Sequence, residues 1–161
     1  MNRAQRRQEN RLARAKPNRS RAIYSTSFTL LFESFDTIDR MIQKLRHGEL
    51  EYISGVPVVM SLKGEWYAML PALDGWIAYW RELTEQHNIS YDDSPLAKLR
   101  NKLEYSMPLT LDDVDAAESV VHLQRKLYMC LPKSVTTRVA HKVQADIMAA
   151  EEIAELMKVA A

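Results

Sequence analysis

Eight basic side chains crowd the first 22 residues: Arg3, Arg6, Arg7, Arg11, Arg14, Lys16, Arg19 and Arg21, against Glu9 as the single acid. A guanidinium is planar and always charged, and its fork of donors matches phosphate oxygens and the edge of guanine. The chemistry these residues offer is the holding of a polyanion, not the making of bonds. Wound as a helix, Arg3, Arg7, Arg11 and Arg14 fall at i, i+4, i+8 and i+11 and project from one side, with Gln5, Gln8 and Asn10 nearby as amide donors. The stretch has almost no apolar stripe, so a helix there is marginal without a ligand and disorder in isolation is expected. Pro17 ends any such helix, and Asn18 to Arg21 read as a linker. The arm has no aromatic residue, so stacking on bases falls to guanidinium planes. Structured RNA with a widened groove is the favoured target, with duplex DNA close behind.

Other reactive residue types are present without the spacing that chemistry needs. Asp92 and Asp93, and again Asp112, Asp113 and Asp115, could surround a divalent ion. Each group sits where a helix is expected to begin, however, and carboxylates there are stabilised by the helix dipole without a metal. His47, His87, His122 and His141 are scattered, with no pair at the spacing of a zinc site. Gly48, Gly55, Gly64 and Gly75 form no phosphate-cradling loop. No serine or cysteine has a nucleophile elbow or a histidine partner in sequence. Cys130 is the only cysteine, which rules out an intramolecular disulfide, and its place beside Tyr128 and Leu131 reads as a small buried hydrophobe. No catalytic residue, metal or cofactor is expected.

The opening Ala4-Gln5-Arg6-Arg7-Gln8-Glu9-Asn10-Arg11 resembles the arginine-rich RNA-binding arms of lambdoid phage antitermination proteins, which fold as a helix on an RNA hairpin. Such openings are similar more generally to those of small phage and prophage proteins. The resemblance implies a contact mode on RNA for Arg6, Arg7 and Arg11. It covers the arm alone, and this chain departs from the family in carrying a compact body.

The elements behind the arm follow from period. Phe28, Leu31, Phe32, Phe35, Ile38, Ile42 and Leu45 make one helical stripe, opening at Ser27 or Ser34 and stopping at Gly48. Val56 to Leu62 and Glu65 to Leu70 read as a hairpin about Lys63-Gly64. A two-residue loop would set Leu62 against Glu65 and Met60 against Tyr67, and Pro57 puts the first strand at an edge. The hairpin feeds the stretch that holds Trp66, Trp76 and Trp80, where Pro71 and Asn88 bracket a helix with Leu73, Trp76, Ile77, Trp80 and Leu83 on one face. Asp92-Asp93-Ser94-Pro95 opens a short helix with Leu96, Leu99 and Leu103 inward, and Thr110 with Asp113 forms a capping box for the next. That helix has two apolar stripes, one through Val114, Ala117, Val121, Gln124 and Tyr128 and one through Val120, Leu123, Leu127 and Leu131. Burial between two neighbours is expected of it. After Pro132 a last helix opens at Ser134 or Thr136 and carries Val135, Val139, Val143, Ile147, Ala150, Ile153 and Met157.

Of the 161 residues, 47% are hydrophobic, enough for one core. The expected fold is mainly α: five helices in a compact bundle-like domain over residues 23–161, one small β-hairpin at residues 56–70, and a basic arm over residues 1–22. The net charge of +1 divides into +7 on the arm and −6 on the remainder, which points to a cationic leader on a mildly acidic body. No apolar run is long enough to cross a bilayer and no secretory signal is apparent, so a reducing, cytoplasmic setting is expected. The functional expectation is a non-enzymatic nucleic-acid-binding protein whose arm residues make the contacts. Its body would meet a protein partner or a second copy, the latter through the C-terminal helix. The alternative is a phage-type interaction module, an assembly factor or an inhibitor of a host protein, whose arm meets an acidic protein surface.

Overall fold

The helix that carries two of the three tryptophans lies at the centre of the fold. The computed structural model describes residues 35–160, and among them the chain runs α1 (Phe35–His47), β1 (Glu51–Ile53), β2 (Val56–Met60), β3 (Trp66–Ala68), α2 (Met69–Gln86), α3 (Ser94–Glu104), α4 (Leu111–Cys130) and α5 (Lys133–Ala160). The fold is mainly α, with five helices among the described residues and a small antiparallel sheet of order β1-β2-β3. The start of the first stripe at Ser27 or Ser34, with Phe28, Leu31 and Phe32, lies outside the described residues.

Helix α2 touches α3, α5 and the sheet, while α4 lies against α1 and α3. Trp76, Trp80, Leu73, Ile77 and Leu83 are all buried on α2, as their spacing requires. Phe35 meets Trp76 edge-on at 5.1 Å between ring centroids, and Trp76 and Trp80 lie 6.1 Å apart. Aromatics of this size each bury on the order of 150–250 Å², so this cluster dominates the core. Asn88 just past α2 has φ 51, and Gly48 just past α1 has φ 67, the left-handed residues that stop a helix.

The sheet departs from expectation in three ways. A third strand, β1, pairs with β2 through Glu51↔Val58 and Ile53↔Val56, joined by Ser54-Gly55, both at positive φ. That is the geometry of a two-residue primed turn, so there are two hairpins and not one. Strand β2 is therefore central, not an edge. Pro57 is tolerated there because the ladder alternates: Ser61 N–H donates toward β3, to Glu65 O at 2.8 Å. The odd positions of β2 thus face β3, and the site opposite Pro57 lies past Ala68, where the chain has already become α2. Finally, the register is Met60↔Trp66 and Val59↔Tyr67, one residue from the expected pairing. Leu62, Lys63 and Gly64 form a three-residue loop with Gly64 left-handed at φ 79, and the Ser61 hydroxyl accepts from the amides of Lys63 and Glu65.

The second stripe of α4 is only partly covered, since Leu123 is exposed while Val120 is buried, and Tyr128 at the end of the first stripe is exposed too. Helix α5 opens at Lys133, earlier than expected, because the Pro132 carbonyl already accepts from the amides of Val135 and Thr136. A Cβ at position 64 would meet no atom within 4 Å, so the loop there disfavours a side chain only through its backbone angle. Gly64→Ala is expected to destabilise the fold by about 1–2 kcal/mol with an unchanged denaturant slope, read from urea unfolding.

Candidate functional site

Arg3, Arg6, Arg7, Arg11, Arg14, Lys16, Arg19 and Arg21 all lie outside the described residues. What the structure positions is the body behind them, and its charges are largely matched to one another. Arg46 bridges Asp115 and Glu118, both at 2.6 Å, and Arg100 bridges Asp74 and Glu104. Lys44 pairs with Glu51, Arg81 with Asp93 and Lys142 with Glu82. Arg125 pairs with Asp39 while its guanidinium lies 4.6 Å over the Phe35 ring, which ties α4 to the start of α1.

The aspartates singled out by their clustering serve helix starts. Thr110 and Asp113 form the reciprocal capping box: the Thr110 hydroxyl accepts from Asp113 N–H, and Asp113 Oδ2 accepts from Thr110 N–H at 3.0 Å. Lys102 and Lys98 reach the same carboxylate from α3. Its side chain is only 4% exposed, and Lys102, then Lys98, then the Thr110 amide hold it well below the usual carboxylate range. Asp92 accepts from Ser94 N–H at 2.9 Å, which lowers its pKa, and Asp93 turns to Arg81 in place of capping α3. No group of three or more histidine, cysteine, aspartate or glutamate side chains among the described residues is gathered as a metal site would be. Cys130 is exposed, not buried, because it lies with Met129 on the outward side of the last turn of α4, whose Leu127, with Leu131 just beyond, packs against the core.

Two features were not singled out from the sequence. The first is a buried polar link. Gln124, fully buried on α4, accepts from Trp76 Nε1–H at 2.8 Å and donates to the Tyr91 hydroxyl. Burial pushes the Tyr91 hydroxyl pKa up, so it stays neutral. The signal in the sequence was a glutamine on an otherwise apolar stripe. The second is a shallow depression of about 600 Å³ at the start of α5, lined by Lys133, Ser134, Thr137, Arg138 and His141. Lys133 and Arg138 make no ion pair among the described residues, unlike the cations above. Two cations, two hydroxyls and an imidazole on one helix face could receive an oxyanion, and the signal was their spacing of three to five residues. No helix among the described residues is long and apolar enough to cross a membrane.

The chain matches no protein-family model, no curated protein and no solved structure.

Replacing Gln124 by leucine keeps the volume and strands the Trp76 N–H and the Tyr91 hydroxyl. A loss on the order of 1–3 kcal/mol is expected from thermal unfolding, the cost of leaving the buried indole N–H without a partner. The Asp113 carboxylate has a depressed pKa in the folded state, so its stabilisation is present above the ordinary value of 3.8 and is lost as pH falls through that value toward the folded one. Asp113→Asn should therefore lower Tm at neutral pH, with the gap to the parent protein closing below 3.8 in a pH series of melts.

Proposed function

We propose that the chain is a non-enzymatic binding protein that holds nucleic acid, RNA in preference to DNA, through Arg3, Arg6, Arg7, Arg11, Arg14, Lys16, Arg19 and Arg21. In this reading its helical body supplies protein contacts. The observation that carries the proposal is the charge split, +7 on residues 1–22 and −6 on the rest. The ion pairs of the body support it. Carboxylates such as Asp39, Asp74, Glu82, Asp93, Asp113 and Glu118 already have cations from their own fold, so the arm is not needed to neutralise them. Arginines spaced for one face of a helix then find their match in a phosphate chain, which repeats its charge along a groove.

Fluorescence anisotropy with a labelled RNA hairpin and a DNA duplex tests this, comparing the full chain with a variant beginning at Ala22. The full chain should bind RNA more tightly. Log affinity should fall linearly with log salt, each phosphate contact adding about 0.7–0.9 to the slope. Arg6→Ala, Arg7→Ala and Arg11→Ala together should flatten that slope by about 2–3 units. Equal binding by the full chain and the Ala22 variant would remove the arm from the account. Capture of a protein that survives nuclease treatment, without RNA affinity, would favour an acidic protein surface as the arm's target.

A further inference from the structure

The charge of the body is itself uneven. Residues 119–145 hold Arg125, Lys126, Lys133, Arg138 and Lys142 and no aspartate or glutamate, a charge of +5, so the rest of the body past residue 22 carries −11. This acid-free stretch is the later part of α4, the bend at Leu131-Pro132 and the first half of α5. Among the described residues, Lys126, Lys133 and Arg138 are exposed and make no ion pair or side-chain hydrogen bond. Every other described lysine or arginine has a partner.

The three free cations lie together. Helix α4 ends at Cys130 and α5 opens at Lys133, so Lys126 and Arg138 are each within about 8 Å of the bend along their helix axes. Ser134 and Thr137 line the shallow depression with Lys133 and Arg138, on a face turned away from the Val139, Ala140 and Val143 that α5 packs on the core. Charged forks, ammonium groups and hydroxyls are the donors that phosphate oxygens accept from.

The arm joins the body at this same end. Phe35, where the chain from the arm enters the described body, meets Tyr128 edge-on at 5.7 Å and lies under the Arg125 guanidinium. Trp80 also touches Phe35, and its neighbour Tyr79 donates its hydroxyl to the Thr136 carbonyl in the first turn of α5. Thirteen residues separate Arg21 from Phe35, a reach of at most about 45 Å. Two cationic regions at one end of a molecule repel each other, and a phosphate chain laid across both neutralises both. The acidic remainder of the body repels such a chain and directs it to this end.

We propose that the bend between α4 and α5 is a second phosphate-binding surface, where Lys126, Lys133 and Arg138 contact the backbone of the same RNA that the arm holds. This deepens the function proposed above and rests on its reading of RNA as the ligand. The bend is fixed in the fold, so its contacts orient the RNA on the body.

Anisotropy with the labelled RNA hairpin tests the proposal on the full chain carrying Lys126→Gln, Lys133→Gln and Arg138→Gln together. At about 0.1 M salt the affinity should fall at least about tenfold, and the salt slope should flatten by about 2–3 units, one phosphate contact per cation. Lys44→Gln with Lys158→Gln removes cations paired elsewhere and should change affinity by less than about twofold. Circular dichroism should be unchanged in the triple variant, since the replaced side chains are exposed and glutamine suits a helix. In the complex, Lys126 and Lys133 should be protected from an amine-acetylating reagent, read by mass spectrometry, while Lys158 reacts as in the free protein. Undiminished RNA binding by the triple variant, or an equal loss in the control pair, would overturn the role of the bend and leave that of the arm standing. Should the chain beginning at Ala22 bind as tightly as the full chain, the arm reading falls; weakening of that shorter chain by the triple substitution then supports the bend, and no weakening overturns it. Absence of RNA binding by the full chain would overturn both.

Discussion

The fold depends on one buried hydrogen-bonded link, from the Trp76 indole through the Gln124 amide to the Tyr91 hydroxyl. A glutamine with no exposure is tolerable only if both ends of its amide are partnered, because a stranded polar group in the core costs as much as a lost methylene or more. That condition fixes how α4 sits on α2: a turn of rotation or a slide of one residue would break both bonds at once. The apolar contacts around it, Phe35 on Trp76 and Trp80 on Tyr91, are less particular about angle. Hydrophobic burial supplies most of the stabilisation, and the amide supplies the uniqueness of the arrangement.

Around that link the surface charges form a second layer of ties. Arg125 to Asp39 and Arg46 to Glu118 hold α4 to α1, while Lys98 and Lys102 meet Asp113 at the head of α4. Exposed pairs of this kind are individually weak. The pairing around Asp113 differs, since that carboxylate is nearly enclosed and also serves the helix cap. Helix α4 is thus fixed at its start by charge, at its middle by an amide and nearer its end by a cation on an aromatic ring.

Much of this was legible in the residues. The helices showed themselves through Leu73, Trp76, Ile77, Trp80 and Leu83 on α2, and the capping box through Thr110 and Asp113, because period and cap chemistry are local. The sheet was harder. Strand β1 is three residues long, too short for alternation to register, and its turn places Ser54, not glycine, at φ 52. The shift of β2 on β3 came from one loop residue: Leu62 joins Lys63 and left-handed Gly64 in the loop, so that Ser61 and not Leu62 pairs with Glu65. Cys130 was misread because Leu131 beside it packs on the core while Cys130 and Met129 turn to the outward side of the same helical turn, which neighbours in sequence do not reveal. Of the site, the arm was read from charge alone, whereas the matched carboxylates of the body and the cations of Lys133 and Arg138 emerge only once α4 and α5 are set in space.

The ties on α4 join residues far apart along the chain: 48 positions separate Trp76 from Gln124, and 86 separate Asp39 from Arg125. The entropy of closing a loop grows only with the logarithm of its length, so each doubling costs about 0.6 kcal/mol. The connection from Tyr105 to Thr110, between α3 and α4, is therefore a place where the chain can be lengthened cheaply. Its Tyr105 and Met107 side chains already face solvent, and an insertion beside Met107 leaves Leu109 on the core and the Thr110–Asp113 cap in place. Added length belongs at that bend, not within the packed helices.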